Sequence, residues 1–99
     1  MKPYIGIVHK DEGSAYGITF PDAPGCFSAA DEIDDLFAMA REALELWAEG
    51  EIEDGRFIQE PRGLDAITND PDWTESLSDA ALIIAVELPE IVVRQQAAE

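Results

Sequence analysis

Residues 16–30, Tyr-Gly-Ile-Thr-Phe-Pro-Asp-Ala-Pro-Gly-Cys-Phe-Ser-Ala-Ala, constrain the fold more than any other stretch of the chain. Tyr16, Ile18 and Phe20 alternate with Gly17 and Thr19, the period of a half-buried strand. Pro21, Pro24 and Gly25 stop that strand and force a short, stiff turn. Residues 26–30 return as a second strand of small residues, with Phe27 its bulky member. After Asp31 the apolar spacing becomes helical. Two strands and a helix start are thereby held in register by one rigid turn.

The remaining elements follow in order. Residues 4–9 form a first strand, with Ile5 and Ile7 on one face and Tyr4, Gly6 and Val8 on the other. The loop 10–14 is polar and contains Gly13, so the first three strands make an antiparallel meander. A helix is predicted over 33–49, with Ile33, Leu36, Phe37, Ala40, Leu44 and Trp47 on its core stripe. Met39 and Leu46 lie off that stripe and are expected to widen the core face. The alternative is a second face that meets a partner or a sister subunit. Asp31 is expected to cap this helix and Gly50 to end it. Residues 51–63 read as a connector, and 64–68 and 73–77 as short helical turns separated by Pro71, the second capped by Asp72. Residues 80–88 are apolar on both faces, which predicts a strand parallel to the first, ended by Pro89. The tail, 90–99, reads as flexible or as the start of a helix. The fold class is α+β, a single domain of order β-β-β-α-β with one sheet and a helix packed on one face.

Charge limits what such a domain can bind. Twenty-two acids against six bases give a net charge of −16. Nucleic acid is a polyanion, and Lys2, Lys10, Arg41, Arg56, Arg62 and Arg94 are scattered rather than clustered. The acidity fits either a basic protein partner or solubility alone. The lone Cys26 cannot form an internal disulfide, and its small apolar neighbours point to a buried thiol. The opening residues lack the pattern of a signal peptide, and no window is long enough to span a membrane. A cytoplasmic location is expected.

The run YGITFPDAPGCFSAADEIDDLFAMAREALELW resembles the signature of the HicB family of antitoxins. Tyr16, Gly17, Phe20, Pro21, Asp22, Pro24, Gly25 and Cys26 match it, as does AREALELW at 40–47, ending at Trp47. The segment IQEPRGLDAITND is similar to the family's proline-containing linker. The resemblance spans residues 4–89 and departs at Glu32, where family members usually carry threonine. It implies a partial, degenerate ribonuclease-H-like sheet without nuclease activity. It also implies an antitoxin that binds a small basic HicA-type toxin, an mRNA-cleaving enzyme with a catalytic histidine, and covers its RNA-binding and active-site face. Homo-oligomers, dimers or tetramers, are expected by the same resemblance. Many members carry a C-terminal DNA-binding motif. Only residues 90–99 follow Pro89 here, too few for a complete one, so the expectation is either a short stand-alone member or an antitoxin domain of a longer protein.

The residues support a binder over an enzyme. Ribonuclease-H-like enzymes hold two metals on several carboxylates, one of them on the first strand, and residues 4–9 contain no acid. Asp22, Asp31, Asp34 and Asp35 stand where turn and cap acids ordinarily stand. His9 lacks partners at metal-ligand spacing and is expected to face solvent. No phosphate loop is present. The expectation is therefore no cofactor, no metal and no enzymatic activity, with no nucleic acid bound by this chain alone. Asp22, as an exposed loop acid, Glu42, Glu45 and Trp73 are the candidate toxin contacts, Trp47 being read as core. The competing readings are an oligomeric scaffold or ligand-binding protein without a toxin, and a residual hydrolase acting through Asp22.

Overall fold

The computed structural model describes residues 3–88. Strands β1 (Tyr4–Lys10), β2 (Tyr16–Thr19) and β3 (Phe27–Ala30) form the expected meander, followed by helix α1 (Ile33–Glu53). Two short helices, α2 (Leu64–Thr68) and α3 (Thr74–Ser78), flank a 3₁₀ turn at Pro71–Trp73, and β4 (Leu82–Val86) completes the sheet. The strand order is β3-β2-β1-β4, and all neighbours are antiparallel. The expectations for Pro89 and the tail 90–99 lie outside the described residues.

The partner of β4 is the expected one, but its direction is not: β4 pairs antiparallel with β1, Tyr4 opposite Val86 and Val8 opposite Leu82. The parallel reading treated everything between β3 and β4 as a single crossover. The chain makes two passes instead. Helix α1 runs down one face of the sheet. Residues 64–78 then climb back along β1 on the other side, where the His9 Nε2–H donates to the Ser76 carbonyl at 2.9 Å. The Ala81 N–H next bonds the Val8 carbonyl at 2.7 Å, so β4 starts beside the end of β1 and must run against it. His9 is accordingly half-buried and bonded rather than free in solvent.

The strand β1 is buried on both faces. Tyr4, Val8, Ile18, Phe20 and Val86 pack with Leu36, Ala40, Leu44 and Ala48 of α1. Ile5 and Ile7, on the opposite face of β1, are buried apart from that cluster, as is Ile67 of α2. Gly6 lets the layers close: a Cβ there would stand 3.0 Å from Ile84 Cγ1 and 3.2 Å from Ile18 and Phe20 side-chain atoms.

Helix α1 departs from its expected stripe. Its buried line is Leu36, Ala40, Leu44 and Ala48, while Ile33 is 55% and Phe37 50% exposed. Alanine lets the helix backbone approach the sheet closely, which a phenylalanine on that line would prevent. Met39 and Leu46 are exposed too, so they do not widen the core. Both predicted ends also move. The N-cap is Glu32, with no side-chain cap bond, so Asp31 does not cap the helix. The helix runs through Gly50 for another turn, which brings Ile52 against the core. It stops at Gly55 (φ +81), where the Gly55 N–H bonds the Ile52 carbonyl and the Arg56 N–H bonds Glu51. That bond pair is a Schellman closure, which satisfies the last carbonyls.

Candidate functional site

The turn after β2 is built from the signature residues and is locked from three sides. Ala23 N–H bonds the Phe20 carbonyl, Cys26 N–H bonds Ala23, and Gly25 supplies the left-handed φ of +86. From the helix side, the Trp47 indole N–H donates to the Pro24 carbonyl at 2.9 Å, and its ring packs T-shaped against Tyr4 at a centroid distance of 6.1 Å. Tyr4 is fully buried and donates its hydroxyl to the Gln59 carbonyl at 2.6 Å. Burial pushes its phenol up to about 12, with Asp22 and Glu60 adding to the effect. Cys26 is buried as expected, and burial pushes its thiol up to about 11, so at neutral pH it is a packing group rather than a nucleophile.

Asp22 closes the third side. It is not the exposed loop acid that the sequence reading expected, since its side chain is only 9% exposed. One carboxylate oxygen accepts the Arg62 backbone N–H at 2.8 Å and the other accepts Arg62 Nε at 2.7 Å. Arg62 reaches on to Asp70 at 3.0 Å, and Asp70 in turn caps the 3₁₀ turn by accepting the Asp72 N–H. Asp72, expected to cap the helical turn at 73–77, does not: the N-cap of α3 is Trp73, with no side-chain cap bond. The Arg62 hydrogen bond, then the Asp72 N–H, holds the Asp70 carboxyl below the usual range. Trp73 is the last residue of that turn and is half-buried.

The second region lies along the free edge of β3. Ser28 donates its hydroxyl to the Met39 carbonyl at 3.0 Å, which draws α1 against that edge. Between them runs an open groove lined by Phe27, Ala29, Met39, Ala43 and Leu46. Phe27 is 68% and Leu46 62% exposed, so large apolar side chains stand in water here. Glu42 lines the same groove, and Asp31 and Asp35 line an adjoining hollow that shares Ala29 and Met39 with it. The described arginines each pair with other acids: Arg41 with Glu45, Arg56 with Glu51 and Asp54, and Arg62 with Asp22 and Asp70. Lys10 lies over the Tyr16 ring. Among the described residues, Glu42, Asp31 and Asp35 make no ion pair.

The four predicted contacts therefore fall into two groups. Asp22 and Trp73 belong to the locked turn and its 3₁₀ neighbour, while Glu42 and Glu45 sit on α1 beside the groove, Glu45 held by Arg41 at 3.8 Å. Sequence reasoning missed Phe27 and Ala29 as surface residues. The available signal was that Met39 and Leu46 have no place on the helix stripe.

Residues 4–98 match the family described as HicB_like antitoxin of bacterial toxin-antitoxin system. The chain belongs to that family. Its fold is that of solved HicB domains. It is similar to the N-terminal domain of the Burkholderia pseudomallei antitoxin HicB, with 32% identity, a TM-score of 0.68, and 90% of this chain and 99% of that one covered. It is also similar to a chain of the HicA3 and HicB3 toxin-antitoxin complex, with 24% identity and a TM-score of 0.69 over 87% and 96% of the two chains. Among curated proteins, a UPF0150 protein of Archaeoglobus fulgidus is 39% identical over 54 residues, 52% of this chain and 78% of that one. Against the whole Burkholderia HicB antitoxin, this chain spans 63% of the length. As a HicB-family antitoxin domain the chain is not an enzyme, and the α+β order read from the sequence is the one observed. Among the described residues no helix is long and apolar enough to cross a membrane.

Proposed function

We propose that this chain, as a single HicB-like antitoxin domain, binds and neutralises a small basic HicA-type toxin that cleaves mRNA, by covering the toxin's RNA-binding and active-site face. The observation that carries this reading is the unpaired acidic rim around an exposed apolar groove, on a chain of net charge −16. A surface that binds RNA phosphate is cationic, and such a rim competes for it directly. Glu42 and Glu45 act as direct toxin contacts in this proposal. Asp22 contributes through the turn it holds, and Trp73 flanks it. The sheet is proposed to be the truncated ribonuclease-H-like sheet that the resemblance implies. The protein acts in the cytoplasm, binds no nucleic acid by itself and needs no cofactor. It is also proposed to form a homo-oligomer, supported by the outer strand β4, where Ile83 is exposed.

Co-expression tests the reading. A cell carrying a HicA-type toxin from the same source as this chain should stop growing on toxin induction and recover when the chain is co-induced. Continued arrest, with both proteins folded and soluble, contradicts it.

A further inference from the structure

The groove between β3 and α1 has the construction of a strand-accepting site, and we propose that it is where the partner docks. The occupant is one extended segment of the basic toxin, with alternate apolar side chains and flanking lysines or arginines, added as a fifth strand along β3. The proposal rests on the antitoxin reading and names the surface and the mode of binding.

Three observations support it. First, β3 is an outer strand: β2 pairs with one side of it, and no described strand pairs with the other. Every strand directs alternate backbone N–H and C=O groups to each side, so the free side offers a hydrogen-bonding template. Second, α1 stands beside that edge, held by the Ser28–Met39 bond, and gives the template a wall. Peptides that join a sheet edge gain affinity from main-chain bonds and specificity from pockets for alternate side chains. Here Met39, Ala43 and Leu46 on the helix and Phe27 and Ala29 on the strand provide the apolar lining.

The third observation selects the occupant. Glu42 lines the groove, and Asp31 and Asp35 line the hollow adjoining it, all without cationic partners among the described residues. A second copy docked here would bring like charges together, on chains of −16 each. A cationic strand meets the opposite field. The other outer strand, β4, exposes Ile83 and is the better surface for self-association.

The test uses the full chain and a HicA-type toxin carrying alanine in place of its catalytic histidine. Binding kinetics are measured for the wild type, for the triple variant Phe27→Ala, Met39→Ala, Leu46→Ala, and for Ile83→Ala. All three alanine sites of the triple variant are exposed, so the fold should survive, which circular dichroism checks. The triple variant should lose about 100-fold or more in affinity, mainly through faster dissociation, while Ile83→Ala binds as the wild type does. Amide exchange in the complex should show new protection on the outward amides of β3. Wild-type affinity in the triple variant overturns the proposal and leaves the antitoxin reading standing. So does binding without β3 protection, which would mean a helical occupant or a different surface. Loss of self-association in the triple variant, with toxin binding intact, would make the groove a contact between copies and overturn it as well. If the wild-type chain itself does not bind the toxin, the underlying reading falls instead.

Discussion

The two halves of one short stretch, residues 20–26 and 27–30, serve opposite purposes. In the first, the groups that could recognise a partner are engaged inside the molecule: the Pro24 carbonyl by Trp47, and the Asp22 carboxylate by Arg62. In the second, Phe27 and Ala29 face water, and the acids beside them have no described cation. The difference teaches where to look for recognition in this fold. The residues that make the stretch identifiable build the turn, and the surface able to meet a partner begins where that turn ends.

The largest expected effect on stability is on the locked side. Trp47→Ala removes the edge contact with Tyr4 and the bond to the Pro24 carbonyl. It should cost about 3 kcal/mol, toward the lower end for large-to-small changes because the ring is only partly buried. The adjacent Leu46→Ala should change stability by less than about 0.5 kcal/mol, since its side chain is in solvent. Urea unfolding of the two variants gives the contrast directly, and equal costs would break it.

Alkaline pH should weaken the same side. The unfolded thiol ionises near pH ~8.5 and the phenol near ~10. In the native chain Cys26 is raised to about 11 and Tyr4 to about 12. The native state therefore keeps protons that the unfolded state releases. This stability is complete well below pH ~8.5 and falls as pH rises toward those native values, by on the order of 4 kcal/mol at pH 11. Urea midpoints measured from pH 8 to 10.5 should decline, and Cys26→Ala should flatten the decline. An unchanged slope in that variant would place the titration elsewhere.

Next comes Asp22→Ala, which leaves the Arg62 backbone N–H without its acceptor. The expected cost is about 1–2 kcal/mol, held down because the Arg62 side chain is 42% exposed and can be hydrated. A double-mutant cycle with Arg62→Ala should show coupling. Purely additive costs would mean that this ion pair is decorative.

The sequence revealed the turn, the meander, both faces of β1 and the partner of β4, because glycine, proline and alternation act locally. It did not reveal what depends on how layers meet. The α1 stripe was misread because Ile33 and Phe37 are more hydrophobic than Ala40 and Ala48, whereas close approach to the sheet selects the alanines. The direction of β4 depends on whether residues 64–78 make a second pass, which no local pattern encodes. Asp22 looked available because a turn is normally exposed, and its partner Arg62 stands 40 positions away. Gly17 remains unexplained by the fold, since a Cβ there would meet nothing within 4 Å.

On this proposal the free acids beside β3 steer a basic partner and the engaged Asp22 does not. The rate of association of catalytically dead HicA-type toxin, measured at a series of salt concentrations, tests it most directly. Compared with the wild type, the pair Asp35→Asn, Glu42→Gln should associate several-fold more slowly at about 50 mM salt, with a shallower salt dependence. Asp22→Asn, if folded, should follow the wild-type line. A wild-type line for the groove pair, with the loss appearing in Asp22→Asn instead, would contradict the account.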